Sequence, residues 1–225
     1  MIDYTHKIIR SKRRSISLSI DKDASLEIRA PLKASLKSIK DFIKENRTWI
    51  EKKMSERKIF IKKYSHLALP SKVVGGEKIL YEGKVYGMKI SDCMEIIISD
   101  IIFFPRKFIP LTKQYLTIWL KHKAFKKISE RANHFASIAR LQFKSITITS
   151  AKGIWGSCNA KGALNVNWRL IMAPPEILDY IIVHELIHLV EKNHSKTYWD
   201  KVKNVLPDYK EHEKWLKNNG DILML

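Results

Sequence analysis

The stretch IIVHELIHLVEKN, Ile181 to Asn193, is followed at once by His194. Its apolar residues recur at helical spacing, and His184 and His188 stand four apart, one turn above each other on the same face. Two imidazoles so placed reach one metal ion, and Glu185 sits beside them to hold a water. This is the H-E-x-x-H pattern of zinc hydrolases. A catalytic zinc takes three protein ligands and keeps one position open. His194, six residues past His188, is the leading third ligand. Glu191 is its rival, but three side chains stacked along one straight helix converge poorly on a tetrahedral ion. His122, His134 and His212 are weaker candidates. Asn193 is expected to supply a left-handed bend that swings His194 back.

Outward from this helix, Pro175 suits its first turn, and Leu178, Ile181, Ile182, Leu186 and Leu189 give it a core side. Ser195 is expected to cap the next helix and Pro207 to stop it, with a last short helix ending near Gly220. Upstream, strands are expected over Ser145–Thr149, Gly153–Cys158 and Ala163–Trp168, with Gly156, Asn159 and Gly162 punctuating a hairpin. Trp155 to Cys158 offers an edge strand on which an extended peptide substrate could pair. Arg169, Tyr198 and Tyr209 are candidate donors to a developing oxyanion. Cys158 reads as a small buried residue at a turn.

A helix is expected from Thr112, as its cap, to Ala139. Leu116, Leu120, Ala124, Ile128, Ala132, Phe135 and Ala139 would form its buried stripe. Its lysines, Lys121, Lys123, Lys126 and Lys127, scatter around the axis. Before it, Lys78–Tyr81 and Val85–Ile90 flank a Glu82-Gly83-Lys84 turn, and Met94 to Ser99 follows. Nearer the N-terminus, Arg14–Ile20 alternates, Asp21-Lys22-Asp23 reads as a turn, and Ser25–Ala30 returns as a hairpin partner. From Ser35 the period becomes helical, through Ile39, Phe42 and Ile43, then Trp49, Ile50 and Met54, to about Lys58. Trp49 reads as a packing anchor. No phosphate loop or nucleic-acid motif appears.

The chain has 225 residues, 45% hydrophobic and 29% charged, and a net charge of +19. Residues 1–140 hold 31 Lys or Arg against 14 Asp or Glu, and residues 141–225 hold 11 against 9. Such a field attracts acidic or phosphate-bearing partners, so nucleic-acid or nucleotide contact through the basic N-terminal part is an expectation. No run is long enough to span a membrane. The N-terminus lacks a secretory pattern, and two cysteines, Cys93 and Cys158, make no disulfide framework. A cytoplasmic location is therefore expected. Oligomeric state is not legible.

These segments together carry a family resemblance. RRSISLSI (13–20), IRAP (28–31), Trp49-Ile50, GIWGSCNAKGALNVNWRLIMAP (153–174), IIVHELIHLVEKNHSKTYW (181–199) and LPDYKEHEKWLK (206–217) resemble the YgjP-like metallopeptidase family. That family is related to SprT-like and WLM-type zinc proteases. The resemblance covers nearly the whole chain and is strongest from Gly153 to Trp199. It implies an α+β, zincin-like domain with the HExxH helix packed on a small sheet and a β-rich part before it. The expected division is a basic N-terminal part, 1–108, with a helical insertion, and a catalytic part, 109–225. The resemblance puts Zn2+ on His184, His188 and His194 and the general base on Glu185. Members are generally labelled metal-dependent hydrolases or proteases. One bacterial relative is labelled a UTP pyrophosphatase, and more distant relatives cleave proteins crosslinked to DNA. Three functions follow as expectations: a zinc metallopeptidase, a nucleoside triphosphate (UTP) pyrophosphatase, or a nucleic-acid-associated module with structural zinc.

Overall fold

Period-two and period-3.6 hydrophobic patterns alternate along this chain, and an α+β architecture results. The computed structural model describes residues 6–21 and 23–224. Lys22 of the expected first turn lies outside them. The chain forms two compact units, Met1–Ser65 and His66–Leu225.

In the first unit, β1 (His6–Ser11), β2 (Ser17–Ile20) and β3 (Leu26–Pro31) form a sheet in the order β1-β3-β2. The β2–β3 hairpin is antiparallel, as its alternation predicts, whereas β1 pairs with β3 in parallel. Leu26, Ile28 and Ala30 point to one face and are fully buried. Against that face pack α1 (Leu36–Glu45), capped by Ser35 accepting from Ser38 N–H, and α2 (Arg47–Tyr64). The Asn46 break makes two helices, and α2 runs beyond the expected Lys58. Trp49 is not a packing anchor. It is 42% exposed, because the helical turn aims its neighbour Ile50 inward instead.

In the second unit, β4 (Lys78–Tyr81), β5 (Lys84–Ser91), β6 (Ile97–Ile98) and β7 (Ile102–Pro105) form a sheet ordered β4-β5-β7-β6. The expected Met94–Ser99 strand shrinks to two residues. The long helix α3 (Thr112–Ala139) buries the expected stripe from Leu116 to Phe135, with Ala136 in place of Ala139. Thr112 is not its cap. It is the first helical residue, and its hydroxyl donates to the Ile109 carbonyl while accepting from Val73 N–H.

Then come β8 (Ser145–Thr149), β9 (Gly156–Cys158) and β10 (Ala163–Asn167), in the order β8-β10-β9. β8 runs parallel to β10, and β9 runs antiparallel to it with Gly156 opposite Val166. The chain closes with α4 (Pro175–Ile187), α5 (Lys196–Val205) and α6 (Tyr209–Leu223). α4 is apolar on nearly every side because it lies in the middle, against α3, α5, α6, β9 and β10. The β4–β5 turn pins the segment before it. Glu82 and Gly83 N–H donate to the carbonyls of Ile171 and Met172 (2.8 and 3.1 Å). The sheet containing β4–β7 shares its core with α3 and α4. The compact unit therefore begins at His66 rather than at the expected 109. No helix among the described residues is long and apolar enough to cross a membrane.

Candidate metal centre

α4 delivers His184 and His188 to one face, and the chain then tightens to end the helix. Leu189 and Val190 N–H donate to the carbonyls of Leu186 and Ile187, a 3₁₀-type closure. Asn193 makes no left-handed bend, since the positive-φ residues other than glycine among those described are Ala24, Glu82 and Arg140. The chain returns without one, through the tightened turn and a Ser195 N–H bond to the Asn193 carbonyl (2.8 Å). Ser195 caps α5, accepting from Tyr198 N–H, as expected.

The result is a cluster of His184, His188 and His194, with one ring nitrogen from each close enough to share one ion. His194 Nε2 lies 3.1 Å from His184 Nε2 and 3.2 Å from His188 Nε2. Tetrahedral ligands about 2.0–2.1 Å from zinc stand roughly 3.3 Å apart, so this donor set fits zinc. The His188 ring Nδ1–H donates to the Glu191 carbonyl (2.9 Å). A carbonyl only accepts, so Nδ1 carries the proton and Nε2 keeps its lone pair for a cation. Glu191 serves through its backbone. Its carboxylate lies 3.8 Å from Lys201 Nζ and outside the cluster.

Burial, reinforced by His188 and His194, pushes the His184 pKa down to about 4. A neutral imidazole is the ligand form. Its Nδ1 is buried without a hydrogen-bond partner among the described residues.

Glu185 is buried (4% exposed), and burial raises its carboxyl pKa to about 7. A bound cation would favour the ionised form. Gly156 on β9 makes room for it. A Cβ at 156 would lie 2.6 Å from Glu185 Oε1. The strand entering at Gly156 is itself held by Asn167, fully buried, whose amide donates to the carbonyls of Ala151 and Ile154 (2.8 and 3.1 Å). Trp155, just before β9, packs on Gly220, where a Cβ would meet its indole at 3.1 Å. Gly220 is thus a packing position inside α6, not its end.

The structure places the three expected oxyanion donors differently. The Tyr198 ring lies against all three histidines, but its hydroxyl donates to the His184 carbonyl (2.9 Å). Tyr209 stacks on Trp199, which in turn stacks on His194. Arg169 lines a separate cavity. Cys158 ends β9 half-buried, and burial raises its thiol pKa. His122, His134 and His212 lie outside the cluster. Gly156, Asn167 and the anchoring role of Tyr198 were not anticipated. The available signal was a glycine inside a strand, which often marks close approach of another group.

A helix presenting two histidines to a third beyond its end, with a carboxylate between them, has the donor set of a metal-dependent hydrolase. The chain belongs to the YgjP-like family: the family's metallopeptidase-domain model matches residues 14–219. Two solved structures are similar over a shorter span. The metallopeptidase zymogen abylysin of Pyrococcus abyssi is 23% identical, with a TM-score of 0.37, over 40% of this chain and 93% of its own. The metallopeptidase zymogen jannalysin of Methanocaldococcus jannaschii is 26% identical, also with a TM-score of 0.37, over 40% of this chain and 94% of its own. No functionally curated protein matches the chain.

Proposed function

We propose that this chain is a zinc-dependent peptidase, with His184, His188 and His194 as ligands and Glu185 as general base. The observation that carries the reading is the convergence of three imidazole nitrogens, at zinc-ligand spacing, beside a buried carboxylate that Gly156 leaves room for. Zinc, when bound, polarises the scissile carbonyl and lowers the pKa of water. Glu185 takes a proton from the attacking water and passes it to the leaving nitrogen as the C–N bond breaks. A carboxyl whose pKa burial has raised toward neutrality suits both halves of that transfer. Membership of a metallopeptidase-domain family supports the peptide substrate, as does the position of β9 at a sheet edge beside α4. An extended peptide can add to such an edge through main-chain hydrogen bonds. The positive charge of residues 1–140 supports an acidic or phosphate-bearing partner.

Purified without chelators, the protein is expected to carry about one zinc ion per chain. The deciding experiment incubates the zinc-loaded protein separately with an unfolded protein, with UTP and with protein–DNA complexes, using Glu185→Gln as control. Cleavage of protein that disappears in the control is the expected result. Glu185-dependent turnover of UTP alone would replace the peptidase reading with the pyrophosphatase one. Zinc-free protein that rebinds no metal would remove both.

A further inference from the structure

A cavity of about 180 Å³ lies beside the β10–α4 connection, and no histidine of the cluster lines it. Arg169 and Lys113 contribute cations to its wall, and none of its lining residues is acidic. Met172, Ile222, Leu223 and Trp168 supply much of the rest.

The guanidinium of Arg169 lies over the Trp168 ring, 4.6 Å from its centroid. Its Nη1 is fully buried with no hydrogen-bond partner among the described residues. Burial pushes the Arg169 pKa below its ordinary value. An arginine cannot escape by losing its proton. A buried cationic N–H without a partner is costly, and an anion in the cavity would complete it. A third donor is at hand. Ser150 Oγ accepts from Trp168 Nε1–H (3.1 Å), which leaves the hydroxyl proton free to donate.

We infer that this cavity binds a small oxyanion, a carboxylate or a phosphate monoester, carried on a short apolar body. Arg169, Lys113 and Ser150 hold the charged head, and Met172, Leu223 and the Trp168 ring hold the body. The volume corresponds to roughly six waters, below the roughly 300 Å³ at which drug-sized pockets begin, so an intact nucleoside triphosphate is too large. The site stands apart from the histidine cluster, and its test needs no hydrolysis.

The test is calorimetric titration of zinc-loaded, full-length protein with butyrate, butyl phosphate, acetate and inorganic phosphate at matched ionic strength. One butyl compound is expected to bind saturably at one site, and more tightly than the matching headgroup without its chain. The tighter of the two identifies the headgroup. Lys113→Ala, at an exposed position, and Ser150→Ala should each weaken binding several-fold, and Arg169→Gln by about tenfold or more. If Arg169→Gln fails to fold, the first two variants carry the test. Glu185→Gln and zinc-free protein should bind as the parent does. No saturable binding by about 20 mM of any probe would overturn the inference. So would binding that Lys113→Ala and Ser150→Ala leave untouched, or that vanishes with the zinc.

Discussion

Gly156 and Glu185 meet so closely that one added methyl group tests the working position of the general base. In Gly156→Ala the new Cβ would sit 2.6 Å from Oε1, so the carboxylate must move. Gly156 is not among the positive-φ residues, so the backbone itself tolerates alanine. Zinc content should hold while kcat/KM falls by about 10²-fold, the cost of misplacing a reacting group by roughly 1 Å. Full activity in this variant would mean that Glu185 works from somewhere else. Glu185→Gln should also keep zinc, and lose about 10²–10⁴-fold in rate because the amide cannot accept the proton. The third ligand is tested by chelator competition. His194→Ala should release zinc far more readily than Glu191→Ala, whose missing carboxylate is directed to Lys201 rather than to the cluster. The histidines and Glu185 were legible because a four-residue spacing on a helix is itself a geometric statement. Gly156, Asn167 and the Tyr198 anchor were not, because each acts across a tertiary contact that no local spacing encodes.

Among the elements, types were legible and ends less so, for reasons visible at particular residues. The β2–β3, β4–β5 and β9–β10 hairpins announce themselves through alternation and turn residues. The parallel strand β1 depends on a partner some twenty residues away and carries no comparable signal. α4 stops at Ile187 although its apolar pattern continues to Val190, because the chain closes there in a 3₁₀-type turn that no local pattern announces. The β4–β5 turn shows an element positioning the site from a distance. Gly83 has φ +77, and a Cβ there would lie 2.9 Å from Pro174 Cα, just ahead of α4. Gly83→Ala should therefore cost about 2–4 kcal/mol, from the left-handed backbone plus overpacking. Gly87→Ala in β5 is the control, because its Cβ would meet nothing within 4 Å. Equal urea midpoints for the two variants would show that the turn is not pinned to the Pro174 segment as described.

At the scale of the whole molecule, surface charge and core follow different boundaries. The excess of lysine and arginine continues to about residue 140, past the expected division at 108. Packing ignores that excess: Ile79, Met88, Ile102 and Phe104 belong to the same buried cluster as Leu120, Ile128 and Ile182. Every residue of that cluster lies in His66–Leu225, and so do all three histidines, Glu185 and Gly156. The first unit has a separate core, with five fully buried members among the described residues, Leu26, Ile28, Ala30, Ile39 and Ile50. A core of that size in 65 residues rarely supplies more than about 3–5 kcal/mol, whereas a domain of roughly 150 residues buries close to 70% of its unfolded surface. The expected outcome is that a fragment of residues 66–225 folds cooperatively, binds about one zinc per chain and gains stability from it by mass action. Urea denaturation with and without zinc, followed by tryptophan fluorescence, measures this directly. The zinc-loaded fragment should unfold in one transition at a higher midpoint than the zinc-free one. A fragment that lacks a cooperative transition, or whose midpoint zinc does not move, would show that the metal centre depends on residues 1–65, and that the separate cores do not mark separate folding units.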